Sequence, residues 1–462
     1  MADSSTSEEL VGVLRSLVQQ LAPGDKLPSS RELIDRHHVG PGTVSRAIAQ
    51  LTAEGAVITR PGSGTYVAPR AVSTEIPIDT AWQTVTLADR SVDSRALSDS
   101  LGPAPDGAIR LDGGYLHPSL QPTRALSAAL ARAARRPDAW DRAPASGLTT
   151  LRTVFARTAG AGATADDVLV TASGQSGLSI AFRAIAGPGS PVLVESPTYP
   201  GALAAARAAG LSPVPVPIDQ HGLRPDLLEE AFARSGARLL YCQPTYQNPT
   251  GTVLAADRRR RVVEVARTAG AFILEDDFAR LLGHGASVPK PLLAEDRDGT
   301  VVYLTSLTKP AAPSLRIGAL IARGPVLERL RAIRQVDDFF VPRPLQEAAL
   351  ELLGSPGWER HLRALAASLR QRSHGLVAAL GKAQPDWVVT SPPDGGLHLW
   401  VGLPPDVDDT TVAAEAQRLG VVVSAGRRYF ATEKPGSWLR FNFAAAADPA
   451  ELSTAARRLA GI

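Results

Sequence analysis

From about residue 109 onward, short apolar runs alternate with longer Ala-, Leu- and Arg-rich stretches of helical period. The runs Val168-Leu169-Val170, Val192-Leu193-Val194, Leu239-Leu240-Tyr241, Phe272-Ile273-Leu274 and Val301-Val302-Tyr303-Leu304 are continuously apolar. A strand solvated on one face would carry a polar residue at every second position, so both faces of these strands are expected to be covered. Strands and helices in turn predict a mostly parallel sheet between helical layers. After about residue 345, helices mix with the strands 397–401 and 438–443, read as a smaller α+β subdomain. A chain of 462 residues exceeds one core, so two or three domains are expected.

Residues 1–69 follow another pattern. Leu10, Val13, Leu14, Leu17, Val18 and Leu21 recur at helical spacing, and Pro23-Gly24 ends that helix. Ser29, with Glu32 after it, is a capping-box start for a short second helix. The turn His38-Val39-Gly40-Pro41-Gly42 leads into a third helix through Thr43, Val44, Ala47, Ile48 and Leu51, with Gly55 as its C′ residue. Val57-Ile58-Thr59-Arg60, the turn Pro61-Gly62-Ser63-Gly64 and Thr65-Tyr66-Val67 then form a hairpin. This is the layout of a winged helix-turn-helix, whose third helix enters the major groove while the wing touches backbone or minor groove.

The candidate DNA-binding residues are Arg31 at the start of the second helix, Thr43, Ser45, Arg46 and Gln50 on the polar face of the third, and Arg60 in the wing. Gly62 and Gly64 join them because a wing without Cβ atoms can approach phosphates closely. Over residues 1–70, seven Lys and Arg balance seven Asp and Glu. Attraction to DNA is therefore expected from the basic residues after position 30 and from pairing two modules. A protein-interaction module is the alternative reading of the same layout. Residues 70–108 lack clear periodicity and are expected to be a linker, with a reach of about 35 Å as a flexible coil. The single cysteine, Cys242, excludes an internal disulfide and a cysteine-rich zinc site, and no metal is expected. A polar N-terminus and the lack of a long apolar stretch exclude a signal peptide and a membrane helix, so a cytoplasmic location is expected.

The strand ending near Leu304 runs into Thr305-Ser306-Leu307-Thr308-Lys309, and Arg316 follows. A lysine that captures an aldehyde must lose its proton, which burial and neighbouring cations favour. Other strand ends supply what pyridoxal 5'-phosphate would need. Ser173-Gly174-Gln175-Ser176-Gly177 opens a helix, and the amides of Gln175 and Ser176 are assigned to the phosphate together with Ser306 and Arg316. Tyr199 is placed to stack on the ring, Asn248 to donate to the phenolic oxygen and Asp276 to hold the pyridinium proton. Arg440 is assigned to a ligand carboxylate. Alone, each fragment reads as a helix entrance, a turn, a solvated loop or a surface lysine. Their joint occurrence at successive strand ends carries the assignment, because open α/β sheets bind ligands there.

Three groups of residues carry resemblances. The segments Leu27-Pro28-Ser29-Ser30-Arg31-Glu32-Leu33, Thr43-Val44-Ser45-Arg46-Ala47 and Arg60-Pro61-Gly62-Ser63-Gly64-Thr65-Tyr66-Val67 resemble GntR-type bacterial repressors. Asn248-Pro249-Thr250-Gly251 and Ser306-Leu307-Thr308-Lys309 with Arg316 resemble fold-type I aminotransferases, over residues 109–462. The two joined together resemble the MocR subfamily of GntR regulators. That resemblance implies an α/β PLP-dependent transferase-like fold and pyridoxal 5'-phosphate bound to Lys309 as a Schiff base. It also implies double-stranded operator DNA as a partner, the cofactor itself or an amino compound as the sensed ligand, and a head-to-tail homodimer. At most residual transaminase activity is expected; an aminotransferase with an accessory DNA-binding domain is the competing reading.

Two departures stand out. Phe278 occupies a position where the family usually carries tyrosine, which leaves Asn248 as the main donor to the phenolic oxygen. The stretch Arg427-Arg428-Tyr429 near the expected ligand entrance is also unusual, and is read either as a preference for an acidic or phosphorylated ligand or as a solvated cationic face. Fewer donors stabilise the deprotonated Schiff base less. A pH titration of the visible absorbance should therefore give a higher midpoint in the wild type than in Phe278→Tyr, and coinciding midpoints would count against this reading.

Overall fold

The computed structural model describes residues 2–69, 79–87, 102, 105–285, 287–389 and 392–462. It divides into two units, Met1–Ser91 and Val92–Ile462. Much of the expected linker 70–108 lies outside the described residues; within it, Ala81–Thr86 is a short helix.

The first unit contains the helices Ala2–Gln20, Ser30–His37 and Pro41–Ala53 and the hairpin Val57–Arg60 with Gly64–Val67. The capping box forms: the Glu32 amide donates to Ser29 Oγ at 3.3 Å, and the Ser29 amide donates to the Glu32 carboxylate at 2.7 Å. Pro41 belongs to the helix rather than to the preceding turn, because its missing N–H falls where no intrahelical acceptor exists. Gly55 follows that helix with φ +71°, a conformation other residues resist. Leu10, Leu14, Leu33, Val44, Ala47, Leu51, Val57 and Val67 form the core.

Two expectations are corrected here. Val13 is 47% exposed, and Val11 is buried in its place, so the inward stripe of the first helix runs through positions 10, 11 and 14. Thr43 is 5% exposed rather than presented on the polar face. It shares the packing side of its helix with Val44, Ala47 and Leu51, one and two turns on, while Ser45, Arg46 and Gln50 stay exposed.

The second unit is organised by an eight-stranded sheet. Its order is Val168–Thr171, Gly318–Ile321, Val301–Ser306, Phe272–Asp276, Leu239–Cys242, Pro191–Ser196, Ser212–Asp219 and Gly222–Leu223. The strands from Val301–Ser306 through Ser212–Asp219 are parallel to one another. Gly318–Ile321 is antiparallel to both of its neighbours, which makes Val168–Thr171 run with the parallel set. Successive residues feed two apolar layers. Val170, Leu193, Leu240 and Ile273 enter one, and Leu169, Val192, Val194, Leu239 and Leu274 enter the other. Helices such as Gly174–Ile185 and Ala256–Thr268 follow individual strands.

Ser212–Asp219 was not foreseen because Pro213, Pro215 and Pro217 break the usual strand signal. The Ser212 amide donates to Ser190 O on the inner side, so the alternate positions 213, 215 and 217 face outward. Each proline thus sits where no ladder acceptor waits for its N–H.

A second, antiparallel sheet has the order Val388–Val389, His398–Gly402, Trp438–Asn442, Ser424–Ala425. The small layer also draws in the start of the unit, since Ile109–Arg110 pairs in parallel with Val421–Val422. Alternation sends Leu399, Val401, Leu439 and Phe441 into its core. His398 stands opposite Asn442, and Trp400 opposite Arg440, on the other face. Among the described residues no helix is long and apolar enough to cross a membrane.

The strand Gly318–Ile321 reaches its place only because Gly318 lacks a side chain. A Cβ there would lie 2.9 Å from Thr305 O, 3.0 Å from the Ser173 carbonyl carbon and 3.1 Å from Thr171 Oγ1. Gly318→Ala should cost roughly 1–3 kcal/mol in urea unfolding. Gly187→Ala, which meets nothing within 4 Å, should stay within about 0.5 kcal/mol of wild type.

Candidate functional site

A cavity of about 400 Å³ opens at the C-terminal ends of the parallel strands. Gln175, Tyr199, Asn248, Asp276, Phe278, Ser306, Lys309, Arg316 and Arg440 all line it. Six of them follow directly from strand ends: Gln175 after Thr171, Tyr199 after Ser196, Asn248 after Cys242, Asp276 at its own strand's last position, and Ser306 with Lys309 on the next. Ser176 is not at the wall. Its amide donates to Ser173 Oγ at 3.2 Å as part of the helix N-cap. Ser173 Oγ in turn accepts from Arg316 Nη2 at 2.5 Å, so the arginine and the helix start share one hydroxyl. Ser306 Oγ accepts from the Thr308 amide at 3.1 Å, which turns the chain so that Lys309 faces the cavity.

Lys309 Nζ donates to Gly114 O at 2.7 Å and lies 4.0 Å from the centroid of the Tyr115 ring. Burial holds its ammonium down from 10.5 to about 7, and the charges of Arg440 and Arg316 act in the same direction while Asp276 opposes them. The amine is therefore about half neutral near pH 7.

Asp276 is built as a carboxylate with one occupied oxygen. Tyr241 Oη donates to its Oδ2 at 2.8 Å and Gln243 Nε2 to the same atom at 2.9 Å. Among the described residues no donor reaches Oδ1. Burial raises the carboxyl to about 6, and the two hydrogen bonds restrain that rise. Gln243 is itself held: its amide donates to the buried Glu195 at 2.9 Å, and its Oε1 accepts from the Asn248 amide at 3.2 Å. Tyr199 Oη donates to Gln175 Oε1 at 3.1 Å, and burial pushes its phenol up. Its ring passes so close to Gly201 that a Cβ there would sit 2.3 Å from Cζ.

Arg440 crosses from the small layer and is 5% exposed. Its Nη1 donates to Asn248 Oδ1 at 3.1 Å and to His398 Nε2 at 3.2 Å. Its Nη2 donates to Gly113 O at 2.9 Å and also to Asp112 O. Only Nε lacks a partner. These bonds settle two neighbours. Asn248 accepts through Oδ1, so its NH2 group is left as the donor. His398 accepts through Nε2, so its proton is on Nδ1; burial, Arg440 and Lys309 hold the ring well below its ordinary range, neutral. Asn442 Nδ2 donates to Gly113 O at 3.0 Å and Tyr115 O at 2.9 Å, completing a strap of backbone, residues 112–115, over Lys309.

Sequence reasoning missed Tyr115, Tyr241, Gln243 and His398. Gln243 lies next to a strand end, and Tyr115 follows Gly113-Gly114, so position along the chain could have flagged those two. Nothing in the sequence marks His398, whose role at the wall comes from its register opposite Asn442. Phe278 is half-buried, with its ring centroid 6.5 Å from that of His398.

In the first unit, Arg31, Ser45, Arg46 and Arg60 are exposed. Ser45, Arg60, Gly62 and Gly64 border a groove of about 410 Å³ between the second and third helices and the wing. Gly62 and Gly64 take φ of +73° and +120°, and the Arg60 guanidinium stands 5.0 Å from the Tyr66 ring centroid.

The family described as "Aminotransferase class I and II" matches residues 113–459, and "Bacterial regulatory proteins, gntR family" matches residues 6–67. The uncharacterized HTH-type transcriptional regulator YjiR of Escherichia coli is 30% identical over 91% of this chain and 90% of its own length. A 2-aminoadipate transaminase of Thermus thermophilus is 30% identical over 73% of this chain and 86% of its own. The solved structure of LysN, an alpha-aminoadipate aminotransferase from Thermus thermophilus complexed with N-(5'-phosphopyridoxyl)-L-leucine, is similar with a TM-score of 0.76. That match has 28% identity and covers 82% of this chain and 97% of that one. The helix-turn-helix unit is thus a gntR-family DNA-binding module, the second unit is an aminotransferase-like fold of a family that depends on pyridoxal 5'-phosphate, and the chain belongs to the MocR-type regulators that join the two.

Proposed function

We propose that the protein is a transcriptional regulator whose aminotransferase-like unit binds pyridoxal 5'-phosphate at Lys309 and senses that cofactor or an amino compound, changing the affinity of the first unit for operator DNA. The observation that carries the reading is an amine held near neutrality in a cavity opposite a carboxylate with one uncommitted oxygen. When bound, pyridoxal 5'-phosphate supplies an aldehyde that condenses with a primary amine. The residues fit it. Lys309 provides the nucleophile, Asp276 Oδ1 an acceptor for a ring N–H, and Asn248 Nδ2 a donor to a phenolic oxygen. Tyr199 provides a ring face, and Arg316, Ser173 and the helix start at Gly174 provide for a phosphate. A ligand changes DNA affinity only if it binds one arrangement of the protein better than another. We assign the protein to the cytoplasm and to a homodimer, the latter because two modules are needed to read two half-sites.

Catalytic transamination is the second reading, favoured by the resemblance to the Thermus transaminase over most of its length. Sustained turnover of an amino donor with a 2-oxo acid would support it; DNA binding that responds to an amine without turnover would support the regulator. Footprinting upstream of neighbouring genes is the direct test. Arg46→Ala should weaken the footprint by about ten- to a hundredfold while the visible absorbance of the bound cofactor remains.

Capture of the cofactor should be lost in Lys309→Ala. In the wild type its rate should be half-maximal near pH 7 and fall on the acid side, where the ammonium form dominates. Arg440→Gln removes a cation that holds the lysine down, so the midpoint should move to higher pH. A midpoint that stays put would show that Arg440 does not act on Lys309.

A further inference from the structure

His398 opens the strand His398–Gly402 of the small sheet and is 4% exposed. The turn Asn248-Pro249-Thr250-Gly251 packs against it: a Cβ on Gly251 would lie 3.8 Å from His398 O. From that turn Asn248 Oδ1 accepts from Arg440 Nη1 at 3.1 Å, and His398 Nε2 accepts from the same nitrogen at 3.2 Å. The two side chains thus converge on one atom of the guanidinium. His398 also meets Phe278, with the ring planes inclined by 39° and the centroids 6.5 Å apart. His398, Asn248 and Phe278 all line the cavity.

We propose that His398 is a further cofactor-contacting residue. Its Nδ1–H donates to the phenolic oxygen of pyridoxal 5'-phosphate beside the NH2 group of Asn248, standing in for the hydroxyl that Phe278 lacks. This rests on the reading of Lys309 and Asn248 given above. Three observations support it. First, a guanidinium can only donate, so the imidazole nitrogen facing Arg440 is an acceptor and the ring proton is on Nδ1. Among the described residues no acceptor is paired with that N–H. A donor left without an acceptor in a buried wall is costly, and an acceptor on a bound ligand removes the cost.

Second, Arg440 occupies the accepting end of Asn248 and of His398 alike, so both are left with N–H groups in one corner of the cavity. Arg440 is itself tied to Asp112 O and Gly113 O, so these directions are set before a ligand arrives. Third, Phe278 fills the same corner without a polar atom, and the ring it meets there is that of His398. The charged and titratable groups facing His398 are Arg440, from the adjacent strand, and Lys309, from the large sheet. Lys309 in turn faces Asp276, Arg316 and the Tyr115 ring.

The test is a pH titration of the visible absorbance of the full-length protein loaded with pyridoxal 5'-phosphate. A donor to the phenolic oxygen draws charge from it and loosens the proton held between that oxygen and the lysine nitrogen, so losing a donor raises the midpoint. His398→Gln keeps an acceptor near the Nε2 position and has no donor at Nδ1. Its midpoint should rise by about half to one pH unit. His398→Asn places an amide nitrogen where Nδ1 was and gives up the acceptor for Arg440. Its midpoint should stay close to that of the wild type, whereas an effect exerted through Arg440 would give the reverse order. A midpoint unmoved in His398→Gln, or moved as far in His398→Asn, overturns the assignment while leaving the cofactor reading intact. His398→Phe, which keeps a ring beside Phe278, replaces the glutamine variant should that one take up no cofactor, and the same outcomes decide. A wild-type protein that shows no visible band after loading overturns both readings.

Discussion

The amine of Lys309 rests on one carbonyl oxygen and one aromatic face, with Arg440 and Arg316 near enough to disfavour its charge. Keeping it there requires two layers that are far apart in sequence. The lysine comes from the large sheet, while the strap that receives it is held by Arg440 and Asn442 of the small sheet. Both sheets must therefore be in register before the cavity exists. Gly318, pressed against Thr305 and Ser173, and Gly201, pressed against the Tyr199 ring, show how little room the surrounding backbone leaves.

The same arrangement separates the roles of neighbouring groups. Asp276 receives two donors on one oxygen and keeps the other for the cavity, and Gln243 links that carboxylate to Asn248. Arg440 fixes which end of Asn248 and which nitrogen of His398 faces inward. Hydrogen-bond direction is thus set before any ligand arrives, which is what pre-organisation requires. Phe278 contributes shape alone; with no hydroxyl at that position, the inward-facing polarity on its side falls to Asn248 and His398.

Much of this was legible in the sequence because strand cores and turn motifs are local. Continuous runs such as Val301-Val302-Tyr303-Leu304 declared strands buried on both faces, and the residues after them declared a cavity. The capping box and the wing turn were equally readable. What escaped was set by packing between distant segments. Periodicity alone could not say whether Val11 or Val13 faced inward, nor that Thr43 was buried, because both depend on how the helices of the first unit cross. Ser176 looked available until its amide was seen to belong to the helix cap. Tyr115 reaches the lysine because Ile109–Arg110 joins the small layer, a pairing between segments more than 300 residues apart that no local pattern announces.

The prolines of Ser212–Asp219 have an effect that reaches past the strand itself. Three of the outward N–H positions are missing, which blunts that side of the strand as a template for another, while its last two residues pair with Gly222–Leu223. At the opposite edge, the Val170 amide is already bonded to Ser146 O. Both sides of the central sheet are thus blunted at these positions. Growth of a continuous intermolecular sheet, the route by which exposed edges seed fibrils, is disfavoured at these positions of the central sheet.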